Sequence, residues 1–375
     1  MIDVVEPTVK TFCQLWFEDA DNPIISPVHK YKYLFYKKWG YNTHGSNQYR
    51  LSCLNPLASM GKIPISVSIV EQPCDVATNN LEVSYNLPPN NVKIPLAICT
   101  KPYYFEDDIS MIMIEWVETW IILGIDKIYL NAIKVHPELK KTLDFYEAEG
   151  KVELRMFPEP LEKYWMGPYE MVALNDCLLR QMHKYDFLVA LDVDEIIVPS
   201  TKRDKNLVDF MARMIQKFNK DENHPENFVF DGYAAANSFF FLDNNHKDEV
   251  QPEVPENFHF LQRIHRSVNY PGVGPKSFHY TEKTDVMHNH LPMFCLQDGT
   301  GELCRVPTFV RADAKLHHYR HTCSLIASML TVEMCKDFTT NTTRDDSLWF
   351  WKDEIIVNVF KTLDKLEDIR LKAVE

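Results

Sequence analysis

The sequence lacks any apolar run as long as the roughly 18 residues that a membrane-spanning helix needs. Its longest candidate, 111–122, is interrupted by Glu115 and Glu118, and no secretory leader pattern follows Met1. Basic residues are also fewer than acidic ones. The chain has 40 Lys and Arg and 53 Asp and Glu, which gives a formal net charge of −13. This balance argues against nucleic acid or an anionic membrane surface as the main partner.

Glycine is scarce, with 11 residues in 375, and two common phosphate-binding patterns are missing. Neither G-x-G-x-x-G nor G-x-x-x-x-G-K-[ST] occurs, so a bound phosphate would need another kind of partner, such as a metal ion. With 45% hydrophobic residues the chain can still build a large core, as two domains or as one elaborated domain.

Cysteine, by contrast, is well represented, and the count of nine is odd. At least one thiol is therefore unpaired or pairs between chains. Cys295 and Cys304 flank a hairpin-like stretch with an Asp298-Gly299 turn signal. The sequence leaves two alternatives open there, a disulfide in an oxidising compartment or two separate buried thiols. One glycosylation sequon, at Asn341, is weak evidence for a secretory route.

The order of predicted elements indicates an α/β fold. Residues 1–90 lack helical periodicity and carry short β-like pieces at 62–70 and 81–85, which predicts a small β-rich region ending at the PPNN boundary. Strand and helix patterns then alternate, which predicts a mostly parallel, doubly wound sheet. The predicted segments are strands at 93–100, 127–130, 152–157 and 187–191 and helices at 109–123, 137–150 and 169–184.

The pattern changes after Ser200. We predict an amphipathic helix at 206–218, an aromatic strand-like stretch at 228–242, and an exposed amphipathic helix from 353 to about 370. The predicted organisation is an N-terminal β-rich region at 1–90, a catalytic domain at 91–323 and a C-terminal helical segment at 324–375.

The clearest chemical feature is the stretch 185–199, YDFLVALDVDEIIVP. An apolar strand buried on both faces would end in Asp192, Asp194 and Glu195, and burying such charge unpaired costs several kcal/mol. If the strand persists, its two-residue period puts Asp192 and Asp194 on one face, where they can share Mn²⁺ or Mg²⁺. The alternative is a strand-end cap whose carboxylates accept backbone N–H groups.

Histidines and cations downstream form a second group of candidates. Five histidines lie within 34 positions, and this density predicts that at least one completes a metal site, although each alone has a structural alternative. They are His288, His290, His317, His318 and His321. Lys276 and Arg320 are candidate cations for a diphosphate, and the alternative for both is a solvated or ion-paired surface residue.

Four blocks of the sequence, taken in order, resemble glycosyltransferase family 92. They are ETWIILGIDKIYLN, ALNDCLLRQMHKYDFLVALDVDEIIVP, PKSFHYTEKTDVMHNH and LHHYR, and the likeness covers about 93–321. The resemblance implies a GT-A fold with a nucleotide-binding half and an acceptor half. It also implies a D-x-D motif, here Asp192 and Asp194 with Glu195 beside them, that holds Mn²⁺ and a UDP-sugar. The family's lysine block matches Lys276, and its histidine block matches His288 or His290.

The resemblance further implies an inverting galactosyltransferase that uses UDP-galactose and acts on glycan acceptors in the Golgi. Family members usually carry an N-terminal membrane anchor, so we expect membrane association only through an anchor absent from this sequence. An inverting transfer needs a carboxylate that deprotonates the acceptor hydroxyl. The catalytic candidates are Glu195 and Asp231, and the alternative for Asp231, which precedes Gly232, is a turn residue.

Two other functions compete with glycosyl transfer as explanations of the sequence. A phosphohydrolase with D-x-D at a strand end would need Thr or Val where Ile196 stands, and an earlier strand. The second rival is a degenerate transferase that binds glycans or scaffolds partners, against which the intact pair of Asp192 and Asp194 argues.

Overall fold

The computed structural model describes residues 10–34, 47–159, 166–269, 274–296, 304–323 and 331–372. The chain divides into two compact units, Met1–Leu87 with Pro160–Val172, and Pro88–Glu159 with Ala173–Glu375. The predicted Asp298-Gly299 turn and the start of the predicted C-terminal segment, 324–330, lie outside the described residues. The domain limits predicted at 90 and 323 stay predictions.

The first unit is rich in strands. Its described strands form one antiparallel sheet in the order β3-β2-β1-β4-β5, and the disulfide Cys13–Cys53 links the outer β3 to the central β1. The pieces predicted at 62–70 and 81–85 correspond to β4 and β5. The strands are β1 (Phe12–Trp16), β2 (Ile24–Tyr33), β3 (Tyr49–Cys53), β4 (Ser66–Val70) and β5 (Leu81–Glu82).

The next part of the chain alternates strands and helices, as predicted. Gly124 and Gly150 follow the first two helices with φ of 93° and 72°, a left-handed conformation that glycine adopts without strain. The elements are β6 (Ile94–Phe105), α1 (Ser110–Ile122), β7 (Lys127–Val135), α2 (Pro137–Ala148), β8 (Val152–Met156), α3 (Met166–Gln181) and β9 (Tyr185–Ala190).

The remainder holds shorter strands and three helices among the residues described. Asn206 caps α4 by accepting the N–H groups of Val208 and Asp209, which confirms the predicted helix start. The elements are β10 (Glu195–Pro199), α4 (Leu207–Asp221), β11 (Gly232–Ala235), β12 (Asn237–Phe241), β13 (His265–Ser267), β14 (Lys276–Tyr280), β15 (Thr284–Val286), β16 (Phe294–Cys295), β17 (Ala314–Arg320), α5 (Val332–Thr340), β18 (Thr342–Arg344) and α6 (Lys352–Lys372).

The largest sheet in the described part of the chain has the order β11-β14-β9-β6-β7-β8. Strands β9, β6, β7 and β8 run parallel, and β14 and β11 add antiparallel strands beside β9. Trp116 of α1 and Leu139 of α2 share a buried cluster on one face, whereas Leu174 of α3 belongs to the cluster on the other face. The predicted α/β class is therefore confirmed, while the assignment to the GT-A fold stays a prediction.

The order of the parallel strands creates a crevice. Strands β6 and β9 are neighbours, but the connections that leave β6 and enter β9 pass over opposite faces of the sheet. Ligands in open α/β sheets bind at such a switch point, outside the carboxyl ends of the strands. The last pair between the two strands is Cys99 with Ala190, so the residues that follow each of them line this crevice.

A second sheet has the order β10-β17-β12 within the described residues. Strand β9 therefore lies in one sheet and β10 in another, and the chain crosses between them at 191–194. The predicted C-terminal amphipathic helix is present as α6, but its expected exposure is wrong on one face. Ile355 and Val359 are completely buried in the cluster that contains α1.

The described cysteines form four disulfides. Cys295–Cys304 is bonded, which decides between the two alternatives left open for this pair, and Cys74 is unpaired and exposed. The others are Cys13–Cys53, Cys99–Cys177 and Cys323–Cys335. None of the helices described is long and apolar enough to cross a bilayer.

Helix α1 also carries a buried acid that holds a distant loop. The Glu115 carboxylate is completely buried and accepts hydrogen bonds from the backbone N–H groups of His259, Phe260 and Leu261. Burial raises the pKa of Glu115 to about 7, although these three donors oppose the shift. The loop from 259 to 261 is thereby fixed to α1.

Replacing Glu115 with Gln is expected to remove a pH dependence of stability. The folded carboxyl group keeps its proton up to about pH 7, whereas its ordinary pKa is 4.5. Because the folded state binds more protons in this interval, the free energy of unfolding falls as pH rises through it, by up to about 1.4 kcal/mol per pH unit. Denaturant unfolding at several pH values measures the slope. The exposed Glu106→Gln variant is the control, and an unchanged slope in the Glu115 variant would contradict this reading.

Candidate active site

Two of the three acids predicted at a strand end, Asp192 and Asp194, lie in a turn, and the third, Glu195, begins β10. Residues 192–194, here called the acid turn, join β9 to β10, and the Glu195 N–H donates to the Asp192 carbonyl at 3.1 Å. The Asp194 carbonyl accepts from the Tyr319 N–H of β17 at 2.8 Å. The expectation that a continuing strand puts Asp192 and Asp194 on one face is therefore wrong, because the chain changes sheets at this point.

Asp192 points at cations rather than at open solvent. Its carboxylate accepts from the Tyr103 hydroxyl at 2.8 Å and pairs with Lys101 at 3.0 Å and with Lys276 at 3.5 Å. Burial opposes ionisation, but Lys276 and Lys101 outweigh it and hold the pKa of Asp192 well below its usual range. Asp192 is thus a permanent carboxylate whose oxygens are already occupied by protein donors.

Glu195 lies beneath the acid turn with 1% of its surface exposed. Its carboxylate accepts from the Asp192 N–H at 2.9 Å and pairs with Lys276 at 3.0 Å. Burial raises the pKa of Glu195 more strongly than Lys276 lowers it. Lys276 itself is fully buried and also donates to Asn289. The predicted catalytic role of Glu195 stays a prediction, and its contacts here hold the turn in place.

Asp194 and His318 form a pair at the surface of this cluster. Asp194 Oδ2 lies 3.4 Å from His318 Nε2, and the Asp194 side chain is 40% exposed. The other ring nitrogen, Nδ1, lies 3.4 Å from Glu195 Oε1 and 3.3 Å from the amide nitrogen of Asn237. Metal-binding histidines usually donate their second ring N–H to a carboxylate, a backbone carbonyl or water. In the tautomer protonated at Nδ1, Glu195 is in position to accept that N–H, and the unprotonated Nε2 faces Asp194.

These contacts provide a test of whether a divalent cation fits. The oxygen of Asp194 and the nitrogen of His318 are close enough to be neighbouring ligands of Mn²⁺ or Mg²⁺, which often take only one or two protein ligands beside water and phosphate oxygens. Asp192 does not join them, because its oxygens face Lys101 and Tyr103. Among the described residues no third His, Cys, Asp or Glu completes a metal cluster at this point. The donor set therefore fits a cation that is shared with a ligand.

His288 and His290 surround Lys276 rather than the Asp194–His318 pair. His290 Nδ1 lies 3.1 Å from the Pro275 carbonyl, and His288 Nδ1 accepts from the His290 N–H at 3.2 Å. Burial, and after it the charge of Lys276, lowers the pKa of His288 to about 4 and that of His290 to about 3. Both rings are thus neutral, and their predicted role as metal ligands stays a prediction.

The remaining predicted residues are His317, His321, Arg320 and Asp231. His317 is buried next to Ser347, and His321 is exposed after β17. Arg320 ends β17 two positions after His318, so strand alternation puts both on one face. Asp231 immediately precedes β11, and the Ala235–Lys276 pair lies at the other end of that strand. Asp231 is therefore on the order of 13 Å from this pair along the strand direction. There it accepts from the Arg305 N–H at 2.7 Å, so the geometry does not bring this candidate base to the acid turn.

Several residues at the site were not predicted. Lys101 and Tyr103 were not predicted as site residues because the predicted strand ended near Thr100, whereas β6 continues to Phe105. The signal that was available is their position just beyond the predicted strand, at the carboxyl end where open α/β sheets bind ligands. His259 is also close enough to Asp194 for the charge of that carboxylate to act on it. Burial, and after it the charges of Arg263 and His321, lowers the pKa of His259 to about 3. No sequence motif marks His259. Its position is set by a hydrogen bond from its backbone N–H to Glu115 of α1, which is distant in the sequence.

Replacing Tyr103 with Phe is expected to loosen the acid turn. The hydroxyl donates to Asp192 and accepts from the Val193 N–H at 3.3 Å, so the variant loses both contacts. Hydrogen bonds to charged groups contribute about 1.5–3 kcal/mol, and denaturant unfolding should show a loss of that size. Tyr104→Phe on the exposed side of the same strand is the matched control. Equal stability of the two variants would show that the hydroxyl does not brace the turn.

The chain is similar to one protein family in sequence and to solved structures in fold. The sequence profile of Glycosyltransferase family 92 matches residues 94–356. No curated protein matches. The fold is similar to S. aureus TarS 1-349, at 10% identity and a TM-score of 0.33, over 61% of this chain and 60% of that one. It is also similar to TarS 1-349 in complex with UDP-GlcNAc, at 8% identity and a TM-score of 0.34, over 64% and 62% of the two chains. The chain thus spans about three fifths of these structures.

Proposed function

Because the chain belongs to glycosyltransferase family 92, we propose that it is a metal-dependent enzyme that transfers a hexose to a hydroxyl group of a glycan. The donor is UDP-galactose and the transfer proceeds with inversion, as the resemblance of the sequence to this family implies. The observation that supports the proposal best is the Asp194–His318 pair, which lies beside the crevice at the carboxyl ends of β6 and β9.

Asp194 and His318 would hold the cation, and Glu195 would keep the ring of His318 oriented through Nδ1. A bound divalent cation neutralises the departing diphosphate and so lowers the barrier to cleavage of the bond to the sugar. Lys101, whose side chain is 31% exposed, can offer a second positive charge to the phosphates at the mouth of the crevice. Lys276 is fully buried, so its contribution is to hold Asp192 and Glu195 rather than to reach a ligand.

A donor panel tests this proposal. UDP-galactose, UDP-glucose, UDP-N-acetylglucosamine and GDP-fucose are each incubated with the full chain, with and without Mn²⁺, and hydrolysis of the donor is measured. We expect Mn²⁺-stimulated release of UDP, fastest from UDP-galactose. A titration of UDP supplies an independent measure, and we expect it to bind more tightly when Mn²⁺ is present. If the affinity for UDP is the same with and without Mn²⁺ and no donor is hydrolysed, a scaffold protein would be favoured instead.

We further propose that the enzyme works in the lumen of the secretory pathway, as a Golgi transferase. The four disulfides among the described residues support an oxidising compartment, and the sequon at Asn341 lies on an exposed residue. Alkylation of unreduced protein from secretory cells should label one thiol per chain, that of Cys74. Labelling of most of the nine cysteines would contradict this location.

A further inference from the structure

A second group of metal-binding side chains lies apart from the acid turn. It consists of His246, Glu249 and His265, here called the His-Glu-His cluster. His246 and Glu249 lie in the loop after β12, and His265 begins β13. The cluster shares no residue with the site of the proposed transfer, and nothing in that reaction requires it.

The potential ligand atoms of the three side chains lie close together. Glu249 Oε1 lies 2.5 Å from His246 Nδ1, and Glu249 Oε2 lies 3.1 Å from His265 Nε2. The two imidazole rings stack at 3.7 Å with an interplanar angle of 6°. One potential ligand atom from each residue lies within 4.8 Å of the other two. Because imidazole lone pairs lie in the plane of the ring, one of the stacked rings would have to rotate before both nitrogens could face a tetrahedral ion with bonds of about 2.0–2.2 Å.

The backbone around the cluster is fixed by side-chain hydrogen bonds. Asn244 accepts from the His246 N–H at 2.7 Å and donates to the His265 carbonyl at 3.2 Å, so it links the two segments that carry the histidines. The Asn245 N–H donates to the Thr339 carbonyl at 3.1 Å, which ties the loop to α5. Ligands held on connected segments lose less conformational freedom when they bind an ion.

The cluster also borders a cavity of about 160 Å³. Polar side chains line it beside the histidines, including Gln251 and Gln262, and Gln262 is held by its contacts with the carbonyls of Gln251 and Val254. This volume holds several water molecules, which occupy about 30 Å³ each. A metal ion with three protein ligands could therefore keep its fourth position open toward water or a small ligand.

We propose that the His-Glu-His cluster is a second metal site, which takes a transition-metal ion of the Zn²⁺ class. Two imidazole nitrogens and one carboxylate oxygen are ligands that suit Zn²⁺ and Co²⁺, whereas Mg²⁺ and Ca²⁺ prefer sets made only of oxygen.

Co²⁺ titration of the full chain, followed by visible absorption and by calorimetry, tests the site. The titration is run on the Asp194→Asn background, so that ions at the acid turn contribute least. We expect one tightly bound Co²⁺, displaced by Zn²⁺, and we expect His246→Gln and His265→Gln each to weaken it by more than about 100-fold, beyond the usual loss for an outer partner. His224→Gln is the matched control, because His224 lies 3.7 Å from a carboxylate, that of Glu222, without belonging to the cluster.

Two results would overturn the proposal. One is the absence of stoichiometric Co²⁺ on the folded Asp194→Asn protein, and the other is equal Co²⁺ affinity in the His246, His265 and His224 variants. Circular dichroism confirms that each variant is folded, and Glu249→Gln, at a half-exposed position, repeats the test without changing an imidazole. Failure of the proposed transferase activity leaves this comparison intact, because the titration measures no turnover.

Discussion

Replacing Asp194 with Asn is expected to reduce metal-stimulated turnover of the sugar donor about 1,000-fold while the protein stays folded. The variant keeps the size of the side chain but removes the charge that faces His318 Nε2 at 3.4 Å. Loss of a group that stabilises developing charge typically costs about 100- to 1,000-fold, and loss of the cation itself adds to that cost. Because Asp194 is 40% exposed, the free energy of unfolding should change little. Release of UDP from the donor, with and without Mn²⁺, is the measurement.

The matched control for this variant is Asp346→Asn. Asp346 is similarly exposed, at 47%, and pairs with Arg344 away from the acid turn, so it should keep full activity. His318→Gln should reproduce the loss seen with Asp194→Asn, since both residues face the same point. Wild-type turnover in the Asp194 variant would refute the role proposed for this carboxylate.

Replacing Lys276 with Met is expected to lower the free energy of unfolding by about 3–5 kcal/mol. The ammonium group of Lys276 is fully buried and lies 3.0 Å from Glu195 and 3.5 Å from Asp192. Its removal leaves two carboxylates beneath the surface with one fewer positive charge between them. Breaking a buried ion pair at one partner is costly for this reason. Denaturant unfolding followed by tryptophan fluorescence measures the loss.

Lys101→Met provides a matched control with the same change of charge beside the same acid. Lys101 pairs with Asp192 at 3.0 Å, but its side chain is 31% exposed, so water can replace the lost partner. We expect a loss below about 1 kcal/mol for Lys101→Met. Adding Glu195→Gln to Lys276→Met should recover part of the stability, because one unpaired charge disappears. Equal losses for the two lysine variants would show that burial does not set the strength of this pair.

Local signals in the sequence predicted most helices of the second unit. The glycines at 124 and 150 end α1 and α2, and Asn206 caps α4, since these residues act through the conformation and hydrogen bonds of their own neighbours. The same reasoning failed where strands change partners. The stretch 228–242 divides into β11 and β12, which lie in different sheets, because their partners β14 and β17 come from far along the chain. Pairing over such distances leaves no local pattern.

The candidate site divides in the same way. Asp194 and His318 could be named from the sequence. Asp194 belongs to a group of acids at the end of an apolar run, and His318 belongs to a dense group of histidines, and both patterns are local in the sequence. Their pairing depends on the register of β10 with β17, in which Glu195 lies opposite His318. Lys101 and Tyr103 could not be connected to Asp192, about 90 positions later, without knowing that β6 and β9 are neighbours.

The crossing of the chain from one sheet to the other also constrains length. Strand β10 is aligned with β17 residue by residue, whereas β9 is aligned with β6, and only Leu191 and the acid turn separate the two registers. One inserted or deleted residue would rotate every side chain of β10 to the opposite face, because strand side chains alternate with a period of two. Glu195 would then leave Lys276, and the apolar Ile196 would exchange sides with it. The spacing between the two strands therefore matters as much as the acidity of the residues that fill it, and the half-buried Val193 at the centre of the turn packs against the main core cluster.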